Sequence, residues 1–428
     1  MRIKLRFIAV LLLLGEGSSV YAAGSYNANV GQFTLAQLVS IGLANNPKIQ
    51  VEEAKVQSAI TQIKVEEGGY WPSLDMSVGP EHGLYGELGY DVMLSQTLYD
   101  WGKVSNNINA ATAKKLKQMQ ALLSARSDAA LEIIEACFEL YSAKEKLKAL
   151  KSYQIEQDNI YTLVKERADF QFSDSSEMNK VLKYQGYIDE QVAVVRGELK
   201  AAERLYILLL RQPPSSLPHF SEPINIFERL DTTDKLENAI AQSPEYMQAK
   251  QDIDVAINEA KSAKAALKPN VVLEATALKR DINGVLTEDY SIGVNFKMQI
   301  NQGLSGYYQA QSELQLVEAA KWELQSVYRD LNREFGSNRE SSIALSQRLT
   351  ALKQQIEQST NLVNVYRDQF TAGLKTIEDL LSSEVETYQL KTQLISASSE
   401  YQQLPYRTAS KLGMLNKLLL LQDEREVF

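Results

Sequence analysis

Proline is absent from residues 81–212 and again from residues 270–404. Stretches that long leave room for helices larger than a compact domain holds, because proline breaks a helix interior. Both are rich in Ala, Leu, Gln, Lys and Glu, all strong helix formers. The composition predicts long helices over 103–170 and about 303–371. Apolar residues recur at threes and fours in the first, as Leu116, Met119 and Leu123, then Ala130, Ile134, Cys137 and Tyr141. At about 1.5 Å rise per residue, each helix reaches roughly 100 Å. Between the two stretches, the proline-dense segment from Arg211 to Pro223 reads as a linker.

The chain is also written twice. Ala44-Asn-Asn-Pro47 returns as Ala241-Gln-Ser-Pro244, 197 residues later. Ala59-Ile60, Lys64 and Pro72 return at the same offset as Ala256-Ile257, Lys261 and Pro269. This predicts an internal duplication. The expected organisation is a signal peptide over 1–22, a first structural repeat over 23–215 with a hairpin at about 73–98, and a linker over 216–229. A second repeat over 230–415, with a hairpin at about 271–300, and a C-terminal tail over 416–428 follow. Residues 47–70 and 175–212 together make 62 residues, and 245–267 and 376–415 make 63. Each pair, stacked end to end, nearly matches one long helix. The expectation is a wall of coiled-coil columns.

Arg2, Lys4 and Arg6 precede an apolar run from Phe7 to Leu14, and Val20-Tyr21-Ala22 fits a cleavage site, so a cut after Ala22 is predicted. The remaining sequence has no apolar run of about 18 residues, so any membrane span is built from strands. One is plainly written. Tyr290, Ile292, Val294, Phe296, Met298 and Ile300 alternate with Ser291, Gly293, Asn295, Lys297 and Gln299. That is the pattern of a transmembrane β-strand, with Tyr290, Ile292, Val294, Phe296 and Met298 facing lipid. Leu74, Met76, Val78, Leu88, Tyr90, Val92 and Leu94 suggest the same in the first copy, and Asp281–Gly284 is the expected second turn. Trp71, Tyr85, Tyr90, Tyr99 and Trp101 are candidates for aromatic girdles at the membrane boundaries. Four strands cannot close a barrel, and open strand edges are not tolerated in lipid. Three copies supply twelve strands, an even number with room for a channel.

A formal charge of −9 gives no basic surplus for nucleic acid. Two histidines (His82, His219) and one cysteine (Cys137) exclude zinc frameworks, disulfides and Cys–His catalysis. No Gly-rich phosphate loop, Gly-x-Ser-x-Gly or His-based triad occurs. The reading is of a non-enzyme without cofactor or metal.

The duplication, Gln96-Thr-Leu-Tyr-Asp-Trp-Gly102, and Phe370-Thr-Ala-Gly-Leu-Lys-Thr-Ile-Glu-Asp-Leu-Leu381 closely resemble the TolC-type outer-membrane efflux and secretion family. The resemblance implies a mainly α fold with a small β part: a homotrimeric channel-tunnel, with a coiled-coil α-barrel in the periplasm and a shared β-barrel in the outer membrane. It implies docking onto a periplasmic adaptor (a membrane fusion protein) and an inner-membrane ABC transporter or proton-driven pump. The Leu-Tyr-Asp-Trp-Gly form is most similar to members serving type I protein secretion, including export of large adhesins. Small-molecule efflux is the alternative, and a periplasmic adaptor without a pore is a third reading. By the same resemblance, the turns containing Phe172, Ser173, Asp174, Gly373 and Leu374 dock the adaptor. Asp379, Lys375, Glu177 and Glu378 belong to the periplasmic gate. Ser382 stands where a second aperture acid is common, Phe370 where tyrosine is common, and the first-copy turn has no glycine.

Overall fold

The computed structural model describes residues 34–44, 46–80, 88–169, 175–214, 224–282, 285–298 and 304–426. The predicted cleavage site, Ile300, and docking residues Phe172, Ser173 and Asp174 lie outside the described residues.

The first half runs α1 (Leu35–Ala44), α2 (Pro47–Glu67), β1 (Ser73–Pro80), β2 (Leu88–Tyr99), α3 (Lys103–Asp169) and α4 (Ser175–Leu210). The second runs α5 (Ile226–Arg229), α6 (Thr233–Ala241), α7 (Pro244–Ala265), β3 (Asn270–Ile282), β4 (Val285–Lys297), α8 (Ser305–Thr371), α9 (Ile377–Lys411) and α10 (Leu415–Glu426). The two long helices, α3 and α8, each have 67 residues.

Local chemistry explains the matching starts of α2 and α7. Asn46 accepts from the Lys48 N–H at 2.9 Å and Ser243 from the Tyr246 N–H at 3.3 Å. Each cap is followed by a proline whose missing N–H costs nothing in a first turn.

The four strands form one antiparallel sheet in chain order, β1-β2-β3-β4. The helices repeat that order: α3 packs against α2 and α4 on one side and α7 and α9 on the other, and α8 packs against α7 and α9. The chain is therefore four parallel columns, each headed by one strand. Among the described residues, β1 and β4 each pair on one side only, so both sheet edges are open there. No helix among the described residues is long and apolar enough to cross a membrane.

The largest core gathers Ile133, Ile134, Cys137 and Phe138 of α3 with Leu38 of α1, Tyr206 of α4, Phe335 of α8 and Tyr406 of α9. Ile226 and Phe227, within the expected linker, fold into α5 and are buried there. The expected C-terminal tail is likewise helical as far as Glu426, with Leu418 and Leu419 in the same core. Of the periodic α3 residues, Ala130, Ile134 and Cys137 are buried, whereas Leu116, Met119, Leu123 and Tyr141 stay exposed in the single chain. Two strand bounds correct the expectation. β3 continues through Asp281 and Ile282, and β4 ends at Lys297.

Candidate functional site

Two regions carry functional geometry: the sheet and the far ends of the long helices. In the sheet, pairing places Leu74, Leu94, Ala275 and Ile292 in one row and Met76, Val92, Ala277 and Tyr290 in the next. Directly paired residues share a face, so these rows make one apolar surface. Tyr290, Ile292, Val294, Phe296 and Met298 are all exposed, Phe296 at 76%. They cover nine residues of chain, about the length that spans a bilayer as a tilted strand. At the end of this face nearest the β3–β4 turn, Lys279 and Glu288 pair at 3.7 Å.

The opposite face is polar and cross-linked. Arg280 donates to Asp91 at 2.9 Å, Asn295 donates to Glu274 at 2.6 Å, and Lys297 pairs with the same Glu274. Thr276 and Ser291 hydroxyls lie 2.6 Å apart. The sheet thus carries one exposed apolar face and one charged face. It fits a wall between hydrocarbon and water.

At the helical ends, α8 stops in a tight reversal. Gly373 takes φ +74°, a left-handed conformation that glycine adopts without steric cost. The Leu374 N–H donates to the Gln369 carbonyl at 2.8 Å and the Gly373 N–H to the Phe370 carbonyl at 3.0 Å, which closes the helix end. Leu374 is left 76% exposed at the apex.

Thr376 then caps α9. The Asp379 N–H donates to the Thr376 hydroxyl oxygen at 3.3 Å, while the Asp379 carboxylate accepts from the Thr376 N–H (3.2 Å) and hydroxyl (2.7 Å). These hydrogen bonds, with Lys375 and Lys180 nearby, hold the Asp379 carboxyl below the usual carboxylate range. Lys375 sits 3.8 Å from Asp379 and over the Tyr366 ring at 4.4 Å. Within one chain, then, Lys375 serves its own turn. Glu378 belongs to a separate group, accepting from the Tyr184 hydroxyl at 3.1 Å and pairing with Lys183 at 3.7 Å. Glu177 lies in the first turn of α4.

The strongest ties here had no sequence signal. Arg167, in the last turn of α3, donates to the carbonyls of Phe370 (2.9 Å) and Thr371 (3.3 Å). Arg367 of α8 bridges Glu156 of α3 at 2.7 Å and Glu384 of α9 at 3.0 Å. Burial raises the Glu384 carboxyl above its ordinary range, and Arg367 only partly offsets that. Gln157 is fully buried, and its amide has no hydrogen-bond partner among the described residues. The Arg167–Phe370 and Arg367–Glu156 links join residues some 200 positions apart in sequence.

No curated protein sequence matches the chain. The fold is similar to the outer membrane protein VceC of Vibrio cholerae, with TM-score 0.75, 15% identity, and coverage of 89% of this chain and 96% of that one. It is similar to the CmeC outer membrane channel of Campylobacter jejuni, with TM-score 0.71, 15% identity, and coverage of 89% and 86%. The open-state MtrE outer membrane channel of Neisseria gonorrhoeae gives TM-score 0.71, 16% identity, and coverage of 89% of both chains. The outer membrane efflux protein family matches residues 38–169 and 236–405, one segment in each half. The chain thus belongs to the outer membrane efflux protein family: it is a TolC-type passive channel of the outer membrane, not an enzyme, and extends into the periplasm.

Proposed function

We propose that three copies of this chain close into one export duct, a shared barrel of twelve strands above a tube of helical columns. The observation that carries this reading is the open pair of edges, β1 and β4, on a sheet with an apolar outer face. Unpaired backbone groups in hydrocarbon cost several kcal/mol each, so open strand edges do not persist there. Pairing β1 of one copy with β4 of the next satisfies both edges, and exposed α2, α4 and α8 side chains such as Val51, Leu182 and Trp322 are then covered by the adjoining columns.

The duct is passive, and the energy comes from an inner-membrane ABC transporter or proton-driven pump reached through a periplasmic adaptor. Gly373 and exposed Leu374 at the apex, with Phe172, Ser173 and Asp174 from the first copy, are the proposed docking residues. Asp379 and Lys375, with Glu177 and Glu378, form the proposed gate. The proposed cargo is a protein passed by type I secretion, on the strength of the Leu98-Tyr-Asp-Trp-Gly102 segment. Small-molecule efflux is the second reading, which the family description favours. Deleting the gene separates them: loss of one secreted protein from the medium supports the first, and drug sensitivity with an intact secretome supports the second. Purified chain that gives no conductance in planar bilayers, even with the gate residues altered, would sink the duct itself.

A further inference from the structure

A cavity of about 590 Å³ opens between α3, α4 and α9. That volume lies within the range of small-molecule sites, roughly 300–1,000 Å³. Its apolar part is made by Ala143 of α3 with Ala201, Ala202 and Leu205 of α4, and the small alanines leave the room. Ser142 also lines it while only 9% exposed, and its hydroxyl has no hydrogen-bond partner among the described residues. A buried hydroxyl in that state is costly unless a polar group reaches it.

The charged rim is unevenly matched. Lys146 is held by Glu198 at 3.0 Å, and Arg407 by Glu135 at 2.6 Å and Gln403 at 3.0 Å. Glu139 of α3 and Glu400 of α9 have no ion-pair partner among the described residues. Each cation of the rim therefore has its own carboxylate, and two carboxylates from two helices are left over.

The cavity faces the bore of the proposed duct. On α3, Glu139, Ser142 and Lys146 recur at threes and fours, on the side away from Ala130, Ile134 and Cys137. That other side carries the short helices. Leu38 of α1, Phe227 of α5 and Leu418 of α10 join its core, and Gly42 of α1 packs directly on Ile133. Twelve columns about 10 Å apart enclose a bore roughly 28 Å wide once side chains are allowed for. Three added layers, each about 10 Å thick, would leave almost no passage. The short helices thus sit outside, and the cavity opens inward.

We propose that this cavity is a binding site on the bore wall for amphiphilic organic cations, one in each copy. The apolar floor takes the hydrocarbon part of such a molecule, Glu139 and Glu400 face its charge, and the Ser142 hydroxyl accepts from an N–H group. An anion of the same size meets unpaired carboxylates instead and is held less well. This rests on the duct reading, which makes the face a bore wall.

The test titrates the assembled protein in nanodiscs with ethidium, a planar organic cation whose fluorescence rises in apolar surroundings. Anilinonaphthalene sulfonate, an anion of similar size, is the comparison. Ethidium should bind about tenfold more tightly than the anion, and raised salt should narrow that margin. Glu139→Gln with Glu400→Gln keeps the shape and should weaken ethidium about tenfold, leaving the anion unchanged or tighter. Ala201→Phe fills the floor from an exposed position and should weaken both probes. Equal binding of the two probes, or ethidium binding that survives the double variant, overturns the site. So does ethidium binding that disappears with Asp379→Ala alone, which would put the cation at the gate. Conductance of the same preparation separates this site from the duct. Protein that conducts but binds ethidium no better than the anion loses the site and keeps the duct. Protein that binds ethidium through Glu139 and Glu400 yet never conducts, even with the gate altered, loses the duct, and the site's place in a bore with it.

Discussion

The Arg167 guanidinium donates to the Phe370 carbonyl at 2.9 Å and lies over the ring of the same residue, 4.6 Å from its centroid. One side chain thus fastens the end of α3 to the end of α8 twice, by a charge-assisted hydrogen bond and by a cation–π contact. Phe370 has no hydroxyl, and the tie runs through its backbone carbonyl and ring face. Arg167→Ala should loosen the helical ends by about 2 kcal/mol. The measurement is resting conductance in planar bilayers, expected to rise about tenfold or more. Arg167→Lys keeps the charge but not the fork, and should fall between. Unchanged conductance in Arg167→Ala would mean the clamp does not restrain the pore.

A second expectation concerns which way the strands face. Val294→Arg puts a charge on the apolar face and should cost roughly 2–4 kcal/mol near the bilayer midplane. Asn295→Arg, one residue on, lies on the polar face beside Glu274 and should assemble nearly normally. Recovery of heat-modifiable oligomer from outer-membrane fractions reads the difference. Equal defects would show that the faces are inverted.

The proposed gate has its own pair of variants. Three Asp379 carboxylates near one axis would focus field and favour cations. Asp379→Ala should lose cation preference and block by added divalent or trivalent metal ions. Lys375→Glu places a second acid opposite Asp379 and should raise resting conductance. Selectivity and metal block unaffected by Asp379→Ala would require the acid to lie outside the passage. Because its carboxyl is held below the ordinary range, the capping box it makes with Thr376 is present above that range and is lost as pH falls through the depressed value.

Glu384 should behave in the opposite sense. Its folded carboxyl is raised by burial, so its contribution to stability is fully present below the ordinary carboxylate range and is lost as pH rises through the raised value. Glu384→Gln should flatten that part of the dependence of Tm on pH, measured in detergent between acid and neutral pH. Arg367→Ala strands a carboxylate whose side chain is only 8% exposed and should cost about 3 kcal/mol, at the low end for a broken buried pair since Arg367 is itself partly exposed. A Tm profile for Glu384→Gln that overlays the parent at every pH would contradict this reading.

Much of this architecture was legible because it repeats locally. Missing prolines mark α3 and α8, and strict alternation marks β4 from Tyr290 to Phe296. Capping residues with a following proline mark α2 and α7. What was not legible depends on partners far away in the chain. Nothing near Arg167, Glu156 or Arg367 announces a contact some 200 residues distant. The bulge between Thr97 and Tyr99 of β2 is invisible to alternation because a single extra residue, Leu98, changes the phase without changing the composition. Helix α5 and most of α10 lie where the sequence presents a linker and a tail, for the same reason: they are ordered by the core they join, which Phe227 and Leu418 reach only in three dimensions.

The two unpaired strand edges have a genetic consequence. In a ring of three copies, each β1 needs a neighbour's β4, so one subunit with a damaged edge leaves a seam that the two sound ones cannot close. A cell making equal amounts of sound and edge-defective chain would assemble roughly one fully sound ring in eight, by random mixing into threes. Alleles that damage either edge while leaving the helical columns able to associate should therefore behave as dominant, and far more strongly than a null allele of the same gene.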